Sequence, residues 1–462
     1  MKIAFYTLGC KVNQYETEML REKFRALGWE TVGAEEPADL FVVNTCTVTG
    51  LADRKSRQYI RRMKRVNPDA VTAVIGCYAQ VSPEGAASVE GVDLVLGTEE
   101  KNDLPAYVER FLRERRPVVA VGDRKAMSGY RDSGTISAMD GRTRAYIKIQ
   151  EGCDRFCSYC VIPYARGPVR SRAPESVLAE AERLVQQGFK EIVLTGINTA
   201  LYGTESGFRE EYGIPDGQPP REGSAERPDE CSALPTSGLE YILGRLDALP
   251  GDFRIRLSSL EPNVVRPDET LRLLRFRRLC HHLHLSIQSG ADSVLRRMNR
   301  RYTAEDYTAL VRMLREADPF YGVSSDVIVG FPGETEAEFA ESVRVCREIG
   351  FTHAHVFPYS KRPGTVAAEM DGQIPAPVKK ERAARLASAA DEASLAFFRA
   401  MKGIKRTVLW ERFEPDTGCL TGYTDNYVKV YRPVSPEDAA PFENTFETVS
   451  IGEPFASGVK GE

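Results

Sequence analysis

The chain is poor in the features that mark secreted and membrane proteins. Ten cysteines in 462 residues are too few for a disulfide scaffold. The amino terminus, MKIAFYTLGC, lacks the apolar core and small-residue cleavage site of a signal peptide. No apolar run approaches the roughly 20 residues that a helix needs to span a bilayer. The chain therefore reads as soluble and cytoplasmic. It also lacks a basic excess: 62 Lys and Arg stand against 66 Asp and Glu, a net charge of −4, which offers no global argument for nucleic acid binding. What remains is an ordinary globular composition, 42% hydrophobic and 28% charged. The chain is long enough to favour two or three domains over one core.

The few cysteines are not scattered at random. Cys153, Cys157 and Cys160 form a compact CxxxCxxC in EGCDRFCSYC, whereas Cys10, Cys46 and Cys77 lie far apart in sequence. Three thiolates leave one iron of a 4Fe-4S cluster without a protein ligand, open to a small molecule. Zinc is the alternative for the compact triad, but it wants a fourth Cys or His nearby, and none follows within the next twenty residues. Cys231 falls in a Gly/Pro/Glu-rich loop, and His281, His282, His284, His353 and His355 come much later. For Cys10, Cys46 and Cys77 the ordinary alternative is burial as small hydrophobes.

Placement along the chain bears on that choice. The first segment alternates short apolar runs with amphipathic helical patterns: KIAFYT, QYETEMLREKFRALG, DLFVVNT, a basic helix, AVTAVIG and VDLVLG. Such alternation predicts a parallel sheet with crossover helices. Ligands of such sheets gather beyond the carboxyl ends of the strands. Cys10, Cys46 and Cys77 each follow a predicted strand directly, so three distant residues can converge, which favours the cluster reading over simple burial.

A linker-like stretch, 122–144, separates this α/β segment, 1–121, from a second alternating series over 145–377. There AYIKIQ, EIVLTG, RIRLSS, HLHLSIQ, VSSDVIVGF and THAHVFPYS predict six strand-helix units, an open or partial (β/α)6 barrel with its chemistry at the carboxyl ends of the strands. The compact cysteine motif follows the first of these strands. Residues 202–237 interrupt the series with a composition that reads as a surface loop without a core, and Cys231 within it is a bystander. A helical stretch over 378–401 then leads to short alternating strands over 402–462, which predict a small β-barrel. Cys280 is expected as a buried neighbour of the CHHLHLS strand, and Cys346 and Cys419 have no visible partner.

Local charge is uneven. DRKSRQYIRRMKR holds Arg54, Lys55, Arg57, Arg61, Arg62, Lys64 and Arg65 against Asp53 alone, in a predicted helix after Cys46. This is either a phosphate-binding surface or a solvated helix face. Arg166, Arg170 and Arg172 in YARGPVRSR flank the compact triad and either position a phosphate or carboxylate or make ordinary ion pairs.

CxxxCxxC with Tyr159 before its last cysteine resembles the signature of the radical S-adenosylmethionine superfamily, and supporting motifs follow in order at later strand ends. LTGIN, with Gly196 and Asn198, resembles the element that meets the methionine amino group. LSSLEP, with Ser258 and Glu261, resembles the ribose-binding element. LSIQSG, with Gln288, and DVIVGFPGET, with Gly330, resemble the remaining cofactor contacts. The last departs from the usual Gly-x-Ile-x-Gly pattern by carrying Asp326 first. Adding Cys10, Cys46 and Cys77 narrows the resemblance to the methylthiotransferases: TLGCKVNQYETE, NTCTVT and IGCYAQ look like that family's second cluster-binding motifs.

The resemblance covers nearly the whole chain, with 202–237 as the main departure. It implies two 4Fe-4S clusters and two uses of S-adenosylmethionine, one as methyl donor and one as source of a radical that takes hydrogen from carbon-2 of an adenine ring. It also implies an auxiliary-cluster domain at 1–121, a radical S-adenosylmethionine domain at 145–377, and a TRAM-like tRNA-binding β-barrel at 402–462. Flavodoxin or ferredoxin would supply electrons. TLGCKVNQYETE and VLRRMNRRYT look most like the branch that methylthiolates threonylcarbamoyladenosine beside the tRNA anticodon. The alternatives are isopentenyl-type adenosine, a ribosomal protein side chain, or a non-catalytic, metal-stabilised RNA-binding protein.

Overall fold

A computed structural model of the chain describes residues 1–462 except 48–49, 133, 137–138, 140–142, 215–234 and 263–266, and except the side chains of 50–53, 125 and 267–269. The chain packs as two compact units, one of Met1–Ala138, Lys148–Ala173 and Ser360–Ala368, the other of Met139–Ile147, Pro174–Tyr359 and Glu369–Glu462.

The first unit is built on six parallel strands: β1 (Lys2–Thr7), β2 (Glu30–Val32), β3 (Leu40–Thr45), β4 (Val71–Gly76), β5 (Leu94–Leu96) and β6 (Val118–Ala120), in the order β2-β1-β3-β4-β5-β6. Every residue of β3 and β4 is buried, as the unbroken apolar runs LFVV and VTAVI require of central parallel strands covered on both faces. Helix α1 (Lys11–Ala26) buries Val12, Tyr15, Met19, Leu20 and Phe24 at helical spacing. Helix α2 (Gly50–Val66) contributes Tyr59, Ile60 and Met63 to a core with Phe41, Val43 and Val74. Short helix α3 (Cys77–Val81) starts directly at the end of β4. The edge strands β2 and β6 are three residues each, too short to show a period in the sequence. A small antiparallel pair, β8 (Gln150–Glu151) with β9 (Arg170–Ser171), completes this unit.

The second unit contains β7 (Arg144–Lys148) up to Ile147, β10 (Glu191–Thr195), β11 (Arg254–Leu257), β12 (Ser259–Leu260), β13 (His282–Leu285), β14 (Gly322–Val329) and β15 (His353–Pro358). These form sheets in the orders β11-β10-β7 and β12-β13-β14-β15. β12 follows β11 after one residue, and Ile255 bridges in parallel to Leu279 just before β13, so the two sheets continue one another as a six-position open barrel. Crossover helices begin at well-formed caps: Thr303 with Asp306 and Thr335 with Glu338 make reciprocal capping boxes.

Helix Ala376–Ala400 leads to a closed barrel of β16 (Lys405–Glu414), β17 (Cys419–Thr424), β18 (Lys429–Pro433), β19 (Phe446–Phe455) and β20 (Gly458–Gly461). Trp410, fully buried, centres its core with Val408, Leu420, Val430, Val449, Ile451 and Val459. Within this unit the small barrel is tied to the open one by a buried charge cluster. Glu191 accepts from Arg254 and Arg256 at 2.7 and 2.8 Å. Those guanidinium groups also donate to the carbonyls of Tyr423, Thr424 and Asp425.

Residues 202–214 differ from the coreless surface loop expected there. Tyr202 and Phe208 pack edge to face at 5.4 Å, and both are buried with Ile214; three apolar anchors in a polar stretch suffice to seat a short segment. Cys231 and the rest of 215–234 lie outside the described residues. Cys280, Cys346 and Cys419 are buried.

Candidate functional site

β1, β3 and β4 are neighbours in the sheet, so the loops after them, which carry Cys10, Cys46 and Cys77, leave from one edge. Asn13 fastens two of these loops. Its Nδ2 donates to the carbonyls of Leu8 at 2.8 Å and Thr45 at 3.0 Å. Gly9 has φ +105°, and a Cβ there would stand 2.9 Å from Cys46 Sγ, so only glycine lets the Cys10 loop close onto Cys46. Gly76, at φ +93°, likewise has no room for a Cβ, which would meet the Thr45 carbonyl at 2.8 Å. Cys10 lies near enough to Cys77 that its charge helps push the Cys77 thiol up. Cys10 is exposed while Cys46 and Cys77 are buried.

A largely buried ion network stands beside Cys77. Arg166 Nε donates to Cys77 Sγ at 3.2 Å, Nη1 to Glu16 and Glu151 at 2.9 and 2.8 Å, and Nη2 to Asn13 Oδ1 at 2.6 Å. Lys101 meets Glu16 at 2.6 Å, and Lys148 bridges Glu16 and Glu151 at 3.0 and 2.7 Å. Burial pushes both carboxyls up, but the surrounding cations win: Glu16 is held well below the usual carboxylate range and Glu151 at about 2. Burial also pushes the Cys77 thiol up, and the Arg166 guanidinium opposes it.

Cys153, Cys157 and Cys160 belong to the same compact unit, in the loop between β8 and β9. The Cys153 N–H donates to the Gly167 carbonyl at 3.0 Å and the Cys160 N–H to the Cys157 carbonyl at 2.9 Å. All three cysteines are partly exposed, as is Tyr159. Arg166 ends the short helix Ile162–Arg166 that follows this loop, so one segment carries the compact triad and reaches the sulfur of the other. Of the two roles expected for the flanking arginines, ion pairing holds for all three: Arg170 pairs with Glu99 at 2.9 Å and Arg172 with Asp132 at 3.3 Å. Among the described residues no three Cys, His, Asp or Glu side chains are close enough to hold a single ion. A cubane cluster instead takes each thiolate on a different iron and needs a wider ring of sulfurs.

The second unit holds the other residues singled out from the sequence, at the carboxyl ends of its strands. Gly196 and Asn198 follow β10, Ser258 and Glu261 flank β12, Gln288 follows β13 and Gly330 follows β14. Asn198 Nδ2 donates to Glu261 Oε2 at 3.3 Å, and Arg300 holds Glu261 Oε1 at 2.8 Å, so these two are brought together. Gln288 is buried and sits at φ +67°, its backbone bonded to Asp326 and Ile328. Gly330, at φ +69°, donates its N–H to Glu334 at 2.8 Å. The departing residue Asp326 lies within β14, where His284 and Ser286 hold its carboxylate at 3.1 and 3.3 Å.

Sequence reasoning passed over Glu16, Lys101, Glu151 and Arg300. A signal existed for one of them: Glu16 falls three residues after Asn13 in GCKVNQYETE, on one face of the helix that Cys10 begins. Lys101 is distant in sequence and carried none.

Residues 147–346 match the Radical SAM superfamily and residues 2–97 the uncharacterized protein family UPF0004. A threonylcarbamoyladenosine tRNA methylthiotransferase, MtaB, of Bacillus subtilis is 42% identical over 93% of this chain and 89% of its own. A tRNA-2-methylthio-N(6)-dimethylallyladenosine synthase of Moorella thermoacetica is 35% identical over 90% of this chain and 89% of its own. A radical S-adenosylmethionine methyltransferase, TsrM, of Kitasatospora setae shares the fold, with a TM-score of 0.53 at 17% identity over 79% of this chain and 75% of that one. Among the described residues no helix is long and apolar enough to cross a membrane. With relatives this similar along nearly their whole length, the chain belongs to the methylthiotransferase family of radical S-adenosylmethionine enzymes.

Proposed function

We propose that this enzyme methylthiolates carbon-2 of threonylcarbamoyladenosine beside the anticodon of tRNA, in the cytoplasm, using two 4Fe-4S clusters. Cys153, Cys157 and Cys160 would hold the cluster that meets S-adenosylmethionine, and Cys10, Cys46 and Cys77 the auxiliary one. The observation that carries this reading is the convergence of Cys10, Cys46 and Cys77 at one sheet edge, in the unit that also holds the compact triad. The 42% identity to the Bacillus subtilis enzyme favours threonylcarbamoyladenosine over dimethylallyladenosine. When bound, the clusters and S-adenosylmethionine supply the radical that removes hydrogen from the base and the sulfur that replaces it.

The chain's own residues bind and orient. Asn198 and Glu261, joined by a hydrogen bond and anchored by Arg300, offer a buried amide for the cofactor's amino group and a buried carboxylate for its ribose. Gly196, Ser258, Gln288 and Gly330 would complete that pocket from successive strand ends, and a cofactor-binding role for Tyr159 follows from the sequence resemblance alone. Arg166 places a fixed positive charge on a cysteine sulfur, which favours the thiolate. A flavodoxin or ferredoxin would donate the electron.

Nucleosides from bulk tRNA of a host lacking its own methylthiotransferases, with and without this gene, test the reading by mass spectrometry. Methylthio-threonylcarbamoyladenosine is expected. A methylthio-isopentenyl product would keep the chemistry and move the substrate, and no new nucleoside from soluble, cluster-loaded protein would sink the proposal.

A further inference from the structure

Helix α2 carries seven cations and no acid from Arg54 to Arg65, and the function above does not use it. At about 100° per residue, Ser56, Tyr59, Ile60 and Met63 form one face, and all four are buried. Arg54, Arg57, Arg61 and Arg65 fall on the opposite side within a stripe one residue wide. Arg54, Lys55, Arg61 and Arg65 are exposed and Arg57 half-buried. The two cations beside the stripe are already neutralised, Arg62 by Glu35 and Lys64 by Asp93 at 3.2 Å. Among the described residues the four arginines of the stripe and Lys55 have no ion-pair or hydrogen-bond partner.

On a chain of net charge −4, four uncompensated guanidinium groups in line are a local field and not a reflection of composition. The row runs 11 residues along a rigid helix, roughly 16 Å. That length faces several consecutive phosphates of a nucleic acid strand, and the planar fork of arginine matches phosphate oxygens. A protein partner would need an apolar centre to its interface. The one large apolar side chain exposed on the described part of α2 is Val66, at the helix end.

We infer that the outer face of α2 is a backbone-contacting surface for the RNA substrate, adding sequence-independent affinity through Arg54, Arg57, Arg61 and Arg65. The inference rests on tRNA being the substrate. The occupant is the phosphate backbone, so the face steers and holds without choosing the base.

Binding of an unmodified tRNA transcript, followed by fluorescence anisotropy between roughly 50 and 200 mM salt, tests it with the full-length, cluster-loaded protein. The triple variant Arg54→Gln/Arg61→Gln/Arg65→Gln should bind about tenfold or more weakly at the low-salt end. Its plot of log affinity against log salt should be shallower by about 2 to 3. Arg62→Gln, whose guanidinium is engaged by Glu35, should leave the slope nearly unchanged, and an equal loss there would overturn the assignment to the stripe. An unaltered slope in the triple variant, with an unaltered thermal midpoint, would overturn the inference alone. The same result with slower reduction by an acidic flavodoxin would reassign the face to the electron donor. Wild-type protein that bound no tRNA at any salt would instead overturn the proposed function.

Discussion

Arg166 is fully buried, and one guanidinium meets a cysteine sulfur, two carboxylates and an amide. Removing one partner of such a group leaves uncompensated charge in the interior, which typically costs about 3–5 kcal/mol. Arg166→Gln is therefore expected to lower the melting midpoint of the protein clearly, as calorimetry would register. A surface variant such as Arg113→Gln, whose partner Glu109 is itself exposed, should change it by no more than roughly 0.5 kcal/mol. Glu151 adds a pH signature. Its folded value, about 2, lies below the ordinary carboxyl range. Its stabilising contribution is thus complete above about pH 4.5 and is lost as pH falls toward 2. Acid unfolding followed by circular dichroism should be flatter over that window in Glu151→Gln than in wild type. Replacing Cys10, Cys46 or Cys77 singly with Ala is expected to abolish sulfur insertion while reductive cleavage of S-adenosylmethionine stays detectable by release of 5'-deoxyadenosine. Loss of that release too, from folded protein with the other cluster loaded, would contradict the division of labour between the triads.

Among the elements, the loops after β1, β3 and β4 show how a sheet assembles a site. Parallel strands deliver their carboxyl ends to one edge, and Asn13 then locks two loops with one buried and one partly buried hydrogen bond. Asn13→Ala would leave two carbonyls without that donor, at a cost of about 1–3 kcal/mol. It should also reduce iron retained at the amino-terminal triad, read as iron and sulfide per chain. These convergent loops were legible in the sequence because each apolar run ended in a cysteine. The network around Arg166 was not legible, since Glu16, Lys101 and Glu151 come from three different elements and their pairing exists only once the first unit is packed. Strand placement followed periodicity well for β3, β4, β10 and β14, whose buried runs are unbroken or nearly so. It failed for β2 and β6, which are too short for any period, and at Tyr202, Phe208 and Ile214, where isolated apolar residues looked like loop and pack as anchors.

For the whole molecule, the second unit joins the open barrel and the closed β-barrel through Glu191, Arg254 and Arg256, all buried. Asn426 adds a hydrogen bond to the Phe320 carbonyl at 2.8 Å. The small barrel is thus a structural partner of the larger one. Truncation after Met401 is expected to yield insoluble or protease-sensitive protein, because it uncovers Arg254 and Arg256. Limited proteolysis that released a stable 1–401 fragment would argue against this coupling.

The sequence by itself determined the α/β pattern, the carboxyl-end position of every cysteine in the two triads, and the strand-end motifs with Gly196, Ser258, Gln288 and Gly330. The pattern and the cysteine positions follow from periodicity and spacing, which are local properties of the chain, and the motif residues were picked out by resemblance to the radical S-adenosylmethionine superfamily. Only the tertiary structure decided that Arg166 reaches Cys77, that Arg300 holds Glu261, and which cations of α2 stay uncompensated. Each of these depends on which distant side chain arrives beside another, and burial then raises the strength of every charge and hydrogen bond formed there.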